Sequence, residues 1–404
     1  MRVPIQLFNP SPYRRGGAVT IPWPGLLDRV KNRPPLVEDA SKTALRAQVD
    51  RPLPDRPERD SLSLLLADDE LPARFDEDVS DASATVHLDL DRSPPEGWSE
   101  DLPGSPRAEA TGNGVRLVNE RLTVWFNLSA VLDPHRPEDA WYAGAATSIQ
   151  LRGVEILDSN EHPLWHHLEK RALQVATIEL PAGGGLSLTM PLFDRDYELL
   201  ATGSGPVRCW LTAASAAFPY PVLGSDGRRL SSRACRLIRI LSLYAGADHL
   251  DEELFLEETG GSGAEVDGGL EFVARYFSFL HIGPFTVSQF PGVPDWFALS
   301  ARMRPFHGYG FATNLHAEAV ASPDPGYPLV DRRHQTLSWR LFPGRWAFCV
   351  HAFTRFVPED RETGLPWDQA EVQNREAARR AAEDRAGRLW YEAVYKPLWG
   401  RGDE

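Results

Sequence analysis

The sequence is poor in cysteine and has no long apolar run, and each shortage excludes a class of protein. Its three cysteines, Cys209, Cys235 and Cys349, form no CxxC or Cys/His pattern, so we interpret them as buried thiols rather than as disulfides or metal ligands. No stretch reaches the roughly 18 apolar residues of a membrane-spanning helix. The opening residues contain no apolar signal core. We therefore expect a cytoplasmic, soluble protein with no membrane partner.

Lysine is also scarce, and the chain as a whole is acidic. It carries 43 Lys and Arg residues against 57 Asp and Glu residues, which gives a formal net charge of −14. Such a charge repels nucleic-acid phosphates and anionic lipid surfaces, so we expect no nucleic-acid partner. The chain contains no P-loop, dinucleotide fingerprint, GxSxG or HExxH motif. We therefore expect no cofactor and no bound metal.

Short runs rich in Val, Ile, Leu, Thr and aromatic residues recur along the chain and predict an all-β fold. After residue 113 they follow one another about every 10 to 15 residues, which is typical of a large antiparallel sandwich. A Pro-, Gly-, Ser- and acid-rich stretch over 93–113 indicates a linker. The sequence thus predicts a small N-terminal β-domain over 1–92 and a large β-domain over 114–366. A proline-free segment rich in Ala, Glu and Arg predicts a long C-terminal helix from 367 to about 395, and we expect this helix and the tail to 404 to pack on the large β-domain.

Several of these segments resemble, in order, parts of the C-terminal β-domains of family 38 α-mannosidases. The opening LFNPSPYRRGGAVTIPWP is similar to the start of those β-domains, with an Asn-Pro turn after a strand. GVRLVNERLTVWFNLS resembles their first strand pair of the large sandwich, joined by an Asn-Glu turn. Further matches are GSGPVRCWLTAAS, CRLIRILSLYAGADHLDEELFLE and the closing YKPLWG, in which Lys396 stands before the proline.

The resemblance implies a galactose mutarotase-like β-supersandwich over 114–366, a fold found among carbohydrate-active proteins. It implies no catalytic residue in this chain. The family carries its zinc site and nucleophile in an N-terminal α/β domain, which the resembling segments do not include. No His and Asp pair in residues 1–90 matches a zinc-ligand motif, and a shared fold alone does not assign chemistry.

Candidate site residues concentrate between Arg302 and Arg355, where four of the eleven histidines lie among seven arginines and many aromatics. Aromatic rings stack on sugar faces, while Arg and His donate hydrogen bonds, so this density suits a groove for a polyhydroxylated or anionic ligand. His351 in this region is flanked by apolar residues, and we interpret it as a core histidine rather than a ligand.

Four residues of this region are the predicted catalytic groups. FATNLHAEAV, read as one strand, puts Asn314, His316 and Glu318 on one face, where His and Glu could do acid and base work. PFHGYG, read as a Gly-flanked turn, sets His307 beside Tyr309, so that a phenol could protonate a leaving oxygen while imidazole accepts a proton. An ordinary solvated face and a turn with packed aromatics are the alternatives.

Substrate-binding residues are predicted just downstream, in DRRHQTLSWR. Arginine beside histidine suits a carboxylate or phosphate, because guanidinium is always charged and binds in a bidentate way. Surface ion pairs with the many acids are the alternative. The predicted substrate contacts are Arg333, His334, Trp339 and Arg340 of this segment, together with Asn314 of FATNLHAEAV.

The sequence therefore predicts an enzyme acting on a glycoside or oligosaccharide, of hydrolase or polysaccharide lyase type. The alternative is a non-catalytic glycan-binding or accessory protein that works with a separate catalytic chain. Convergence of the predicted residues in one pocket would favour the enzyme, and scatter would favour the binding protein. A carbohydrate ligand is expected in either case, and a homo-oligomer remains open.

Overall fold

The computed structural model describes residues 2–8, 15–31, 34–71, 83–95, 104–129, 143–155, 175–182, 186–191, 196–223, 229–260, 273–277, 286–290, 293–304, 307–313, 316–319, 337–340, 344 and 346–355. Of these, residues 8, 15, 16, 68–71, 83, 145, 218–233, 260, 354 and 355, and those within 175–191 and 273–340, are described by their backbone alone. The described chain is almost entirely antiparallel β-structure, which confirms the all-β prediction. None of its helices has the length and apolar character needed to cross a membrane. The long helix predicted from residue 367 lies outside the described residues.

The first part of the chain forms a six-stranded sheet in the order β1-β6-β3-β4-β5-β2. The elements are β1 (Arg2–Phe8), β2 (Arg15–Pro22), α1 (Leu26–Val30), β3 (Leu36–Glu38), β4 (Ala44–Asp50), a 3-10 turn (Pro57–Arg59), β5 (Ser61–Leu71) and β6 (Ser83–Asp89). Alternate residues of β1 and β6 are buried with Leu62 and Leu64 of β5, so the sheet carries its own apolar core.

A five-stranded sheet follows, in the order β11-β10-β9-β8-β7. Its strands are β7 (Arg107–Ala110), β8 (Gly114–Val118), β9 (Leu122–Asn127), β10 (Ala145–Leu151) and β11 (Val154–Glu155). β7 lies within the range that we predicted as a linker, because the apolar-polar alternation of its four residues is too short to stand out from the Pro- and Gly-rich sequence around it. The predicted Asn-Glu turn does connect two paired strands, β8 and β9.

Asn119 of this turn ties the hairpin to the neighbouring sheet. Its Oδ1 accepts hydrogen bonds from the backbone N–H groups of Arg121 and Leu122, at 2.8 and 2.6 Å. Its Nδ2 donates to the carbonyl oxygens of Tyr244 and Ala247, at 2.5 and 2.9 Å. One buried amide thus satisfies backbone groups from two sheets, and this accounts for asparagine at the turn.

The remaining strands form a second five-stranded sheet, β13-β12-β19-β24-β23, and a nine-stranded sheet, β14-β15-β17-β18-β25-β22-β21-β20, with β16 also paired to β17. Their bounds are β12 (Val175–Ala182), β13 (Leu186–Pro191), β14 (Tyr197–Gly203), β15 (Arg208–Ser215), β16 (Phe218–Leu223), β17 (Arg229–Tyr244), β18 (His249–Gly260), β19 (Val273–Phe277), β20 (Thr286–Phe290), β21 (Val293–Arg304), β22 (His307–Thr313), β23 (His316–Ala319), β24 (Leu337–Arg340) and β25 (Trp346–Arg355).

The nine-stranded sheet is the middle layer of the described molecule. Every residue of β15 is buried, because the six-stranded sheet covers one face of this strand and the sheet of β7–β11 covers the other. On the second side, Phe126 of β9 meets the ring of Tyr197 edge-on, with ring centroids 6.4 Å apart. A polar side chain on the middle strands of this layer must therefore find its partners inside the protein.

Candidate functional site

The four predicted catalytic residues do not share one strand or one sheet. His307 and Tyr309 belong to β22 of the nine-stranded sheet, whereas His316 and Glu318 belong to β23 of the second five-stranded sheet. The single strand predicted from Phe311 onward is therefore wrong. Its two halves have different pairing partners, which are β21 and β25 for the first half and β24 for the second.

The predicted turn at PFHGYG is also wrong from His307 onward. Gly308 and Gly310 lie within β22, opposite Thr354 and Ala352 of β25. Glycine favours turns when only local sequence is considered, but here a strand on each side pairs with the segment and holds it extended.

Backbone register brings one pair of the predicted residues together. His316 of β23 lies opposite Arg340 of β24, on neighbouring strands at the edge of their sheet. Trp339 is the residue before Arg340, and it lies opposite Ala274 of β19. The other predicted substrate contacts, Asn314, Arg333 and His334, lie outside the described residues.

A cluster of charged side chains that we did not predict lies buried in the nine-stranded sheet. Glu252 of β18 accepts a hydrogen bond from Nε of Arg239 at 2.7 Å, and its Oε2 lies 3.0 Å from Nε2 of His351. The three side chains are between 1% and 3% exposed. His351 is thus a core histidine, as expected, but it has a charged partner.

The surroundings of this cluster explain how it is tolerated inside the protein. The Arg239 guanidinium lies 5.1 Å from the ring centre of Phe126, a cation–π contact. Burial by itself would raise the pKa of Glu252, but the charge of Arg239 and the hydrogen bond to His351 lower it to about 2. Burial raises the pKa of the neighbouring Tyr197 phenol to about 12. At neutral pH, Glu252 is therefore ionised and Tyr197 is neutral.

The cluster ends one strand away from β22. His351 lies opposite Phe311 of β22, and the next residue on the same side of the ladder, Phe353, lies opposite Tyr309. Because the cluster is shielded from solvent, it cannot contact a ligand directly. It can hold β18 and β25 in register, and β25 in turn pairs with the strand that carries His307 and Tyr309.

A second buried network joins the six-stranded sheet to the nine-stranded sheet. Asp50 of β4 accepts hydrogen bonds from Nε of Arg208 at 2.7 Å and from Nε1 of Trp210 at 2.9 Å. Gln48 donates to Asp50 at 2.6 Å and to the carbonyl oxygen of Arg208 at 3.0 Å. Arg208 also donates to Ser61 at 2.8 Å. Burial disfavours the Arg208 cation, but the Asp50 carboxylate raises the pKa of Arg208 above its ordinary value.

A third contact between the same two sheets is more exposed. Arg59 of the 3-10 turn pairs with Glu253, and its guanidinium lies 4.0 Å from the ring centre of Trp346. Arg56, one turn earlier, pairs with Glu257, which also accepts from Arg236 at 2.5 Å. The two sheets therefore meet through ion pairs as well as through the apolar cluster around Leu53 and Phe255.

Cysteine and metal chemistry find no support among the described residues. The three cysteines are free and buried, as expected, and burial raises the pKa of Cys209 to about 12, so that its thiol is protonated. Within the described ranges, no group of three His, Cys, Asp or Glu side chains could hold a metal ion.

No protein-family model and no curated protein matches the sequence. Among solved structures, a protein in the glycosyl hydrolase family 38 from Enterococcus faecalis is similar, with a TM-score of 0.47 and 11% identity over 92% of this chain. An alpha-mannosidase from Enterococcus faecalis V583 has a TM-score of 0.46 and 12% identity, again over 92% of this chain. The chain spans 46% and 45% of those two proteins. At such scores the similarity assigns no activity, substrate or partner to this chain.

Proposed function

We propose that this chain is a carbohydrate-active protein that contacts a glycan along the segment from β22 to β24, and that it acts there as a glycoside hydrolase or polysaccharide lyase. The observation that carries the proposal is the register of His316 opposite Arg340 at a sheet edge. Residues opposite each other on antiparallel strands have Cβ atoms about 5 Å apart. At that spacing the Arg340 cation and the His316 imidazole would contact the same substrate molecule. Trp339 directly precedes Arg340 in the sequence.

In this proposal the four predicted catalytic residues share acid and base work. His316, Glu318 or His307 accepts a proton, and Tyr309 donates one to the leaving glycosidic oxygen. Arg340 orients the substrate through its hydroxyl or carboxylate oxygens, and Trp339 stacks on a sugar face. Hydrolysis then requires an attacking water, whereas elimination requires a proton beside a carboxylate.

The second candidate function is a non-catalytic glycan-binding or accessory protein. It is supported by the division of the predicted catalytic residues between two sheets, since acid and base must act on the same bond within hydrogen-bond reach. A carbohydrate ligand is common to both candidates, and a separate catalytic chain or a homo-oligomer belongs to the second. The cytoplasmic location is also a proposal, supported by three free cysteines in the described residues.

A substrate screen separates the two candidates. The purified chain is incubated with neutral oligosaccharides, uronate polymers and aryl glycosides, while reducing ends and the absorbance of unsaturated products are followed. The enzyme proposal expects turnover that falls at least a hundredfold in His316→Ala. The matched control is His87→Gln, a histidine of β6 in the six-stranded sheet, which should keep full activity.

The outcomes of the screen are distinct. Thermal stabilisation by a glycan without turnover would favour the glycan-binding function over the enzymatic one. Turnover that is equal in His316→Ala and the parent chain would retain the enzyme but refute the site. If the parent chain neither turns over nor binds any carbohydrate, both candidates fail.

A further inference from the structure

The outer face of the β7–β11 sheet carries a row of polar and aromatic side chains. In β9, Leu122, Val124 and Phe126 are buried, while the residues between them are partly exposed. The strand thus turns one face to the nine-stranded sheet and the other outward. Trp125 lies at the centre of the outward face.

Register aligns four outward residues across four neighbouring strands. Glu109 of β7 lies opposite Arg116 of β8, Arg116 lies opposite Trp125 of β9, and Trp125 lies opposite Ser148 of β10. Neighbouring strands are about 4.8 Å apart, so the row is about 14 Å long. This is longer than one sugar ring. A second row beside it contains Thr123 opposite Gln150.

The two charged residues of this row, Glu109 and Arg116, are paired with each other. Arg116 donates from Nε to Glu109 at 3.0 Å, and its guanidinium lies 5.6 Å from the ring centre of Trp125. The Arg116 and Glu109 side chains remain 39% and 40% exposed. Ser148 donates to Glu155, which also accepts from the backbone N–H of Ile149 at 3.0 Å. Within the row from Glu109 to Ser148, Arg116 and Glu109 therefore neutralise each other, and the row offers donors and acceptors to a neutral ligand.

We propose that this face, centred on Trp125, is a second glycan-binding surface that takes a neutral pyranose chain. The Arg116 guanidinium lies over part of the partly exposed indole, so a sugar ring would stack its C–H face on the remaining apolar surface of Trp125. The flanking Arg116, Glu109, Ser148 and Gln150 would bind its hydroxyls. A phosphate or uronate fits less well, because Arg116 is already neutralised by Glu109. For the ligand class alone, this inference rests on the proposed function.

The test compares Trp125→Leu with Trp125→Phe in the full chain. Both variants keep an apolar side chain on β9, and equal melting temperatures would show that both are folded. Binding to a panel of neutral oligosaccharides and to a uronate oligosaccharide is measured by titration. Loss of the aromatic ring in Trp125→Leu should weaken neutral-glycan binding about tenfold, while Trp125→Phe should weaken it less than threefold.

Two results would overturn the proposal. One is neutral-glycan binding that is equal in Trp125→Leu and the parent chain, and the other is preferential binding of the uronate ligand through this face. Turnover of a small aryl glycoside is measured in parallel, because it depends on β22 to β24 and not on this face. If turnover is absent but Trp125→Leu still lowers glycan binding, the enzyme proposal fails and the second surface stands.

Discussion

Replacing Asp50 by alanine should be among the most damaging single changes in the six-stranded sheet. The substitution removes the carboxylate that faces Arg208, whose side chain is only 2% exposed. A buried ion that loses its partner costs about 3–5 kcal/mol, because the remaining charge is neither hydrated nor paired. We expect the free energy of unfolding of Asp50→Ala to fall by that amount at pH 7.

Urea unfolding followed by circular dichroism and by tryptophan fluorescence measures this loss. The matched control is Glu38→Ala in the same sheet, which breaks the 3.1 Å pair with Arg2, a side chain that is 45% exposed. Exposed pairs contribute about 0–1 kcal/mol, so the control should lose no more than that.

A double replacement separates an unpaired charge from a general packing defect. Asp50→Leu with Arg208→Met removes both charges and leaves unmade the hydrogen bonds of Gln48 and Trp210 to Asp50 and of Arg208 to Ser61, at about 1 kcal/mol each. The double variant should therefore be more stable than Asp50→Ala. A single variant that loses no more than Glu38→Ala, or a double variant as unstable as the single one, would refute the reasoning.

Two further predictions concern the nine-stranded sheet. The pKa of Glu252 is about 2 in the folded protein, below its ordinary 4.5, so the stability it contributes is present above pH 4.5 and is lost as the pH falls towards 2. Between pH 4.5 and pH 2, the free energy of unfolding of the parent should fall by about 3 kcal/mol more than that of Glu252→Gln. An equal fall in the two proteins would contradict the low pKa of Glu252. A Cβ at Gly203 would lie 2.4 Å from the Trp210 ring, whereas one at Gly112 would have no atom within 4 Å. Gly203→Ala should therefore lower the free energy of unfolding by about 1–3 kcal/mol, whereas Gly112→Ala should not. Equal changes of melting temperature in the two variants would show that the Trp210 ring moves to make room for the methyl group.

Short-range pattern was sufficient where a strand has one buried and one solvated face. The run GVRLVNERLTVWFNLS indicated a pair of strands, and the structure contains them as β8 and β9. It failed at β22, where two glycines suggest a turn and only the flanking strands hold the backbone extended. It also gave no sign that Glu252 of β18 is buried.

The sequence by itself determined the fold class, the buried free thiols and the core position of His351, because composition and local alternation decide these. Only the tertiary structure decided which charges are paired. Asp50 and Arg208 are separated by 158 residues, and Glu252 and His351 by 99. Local sequence contains no information on pairs so far apart, so a buried ion pair cannot be distinguished from two surface charges without the packing of the sheets.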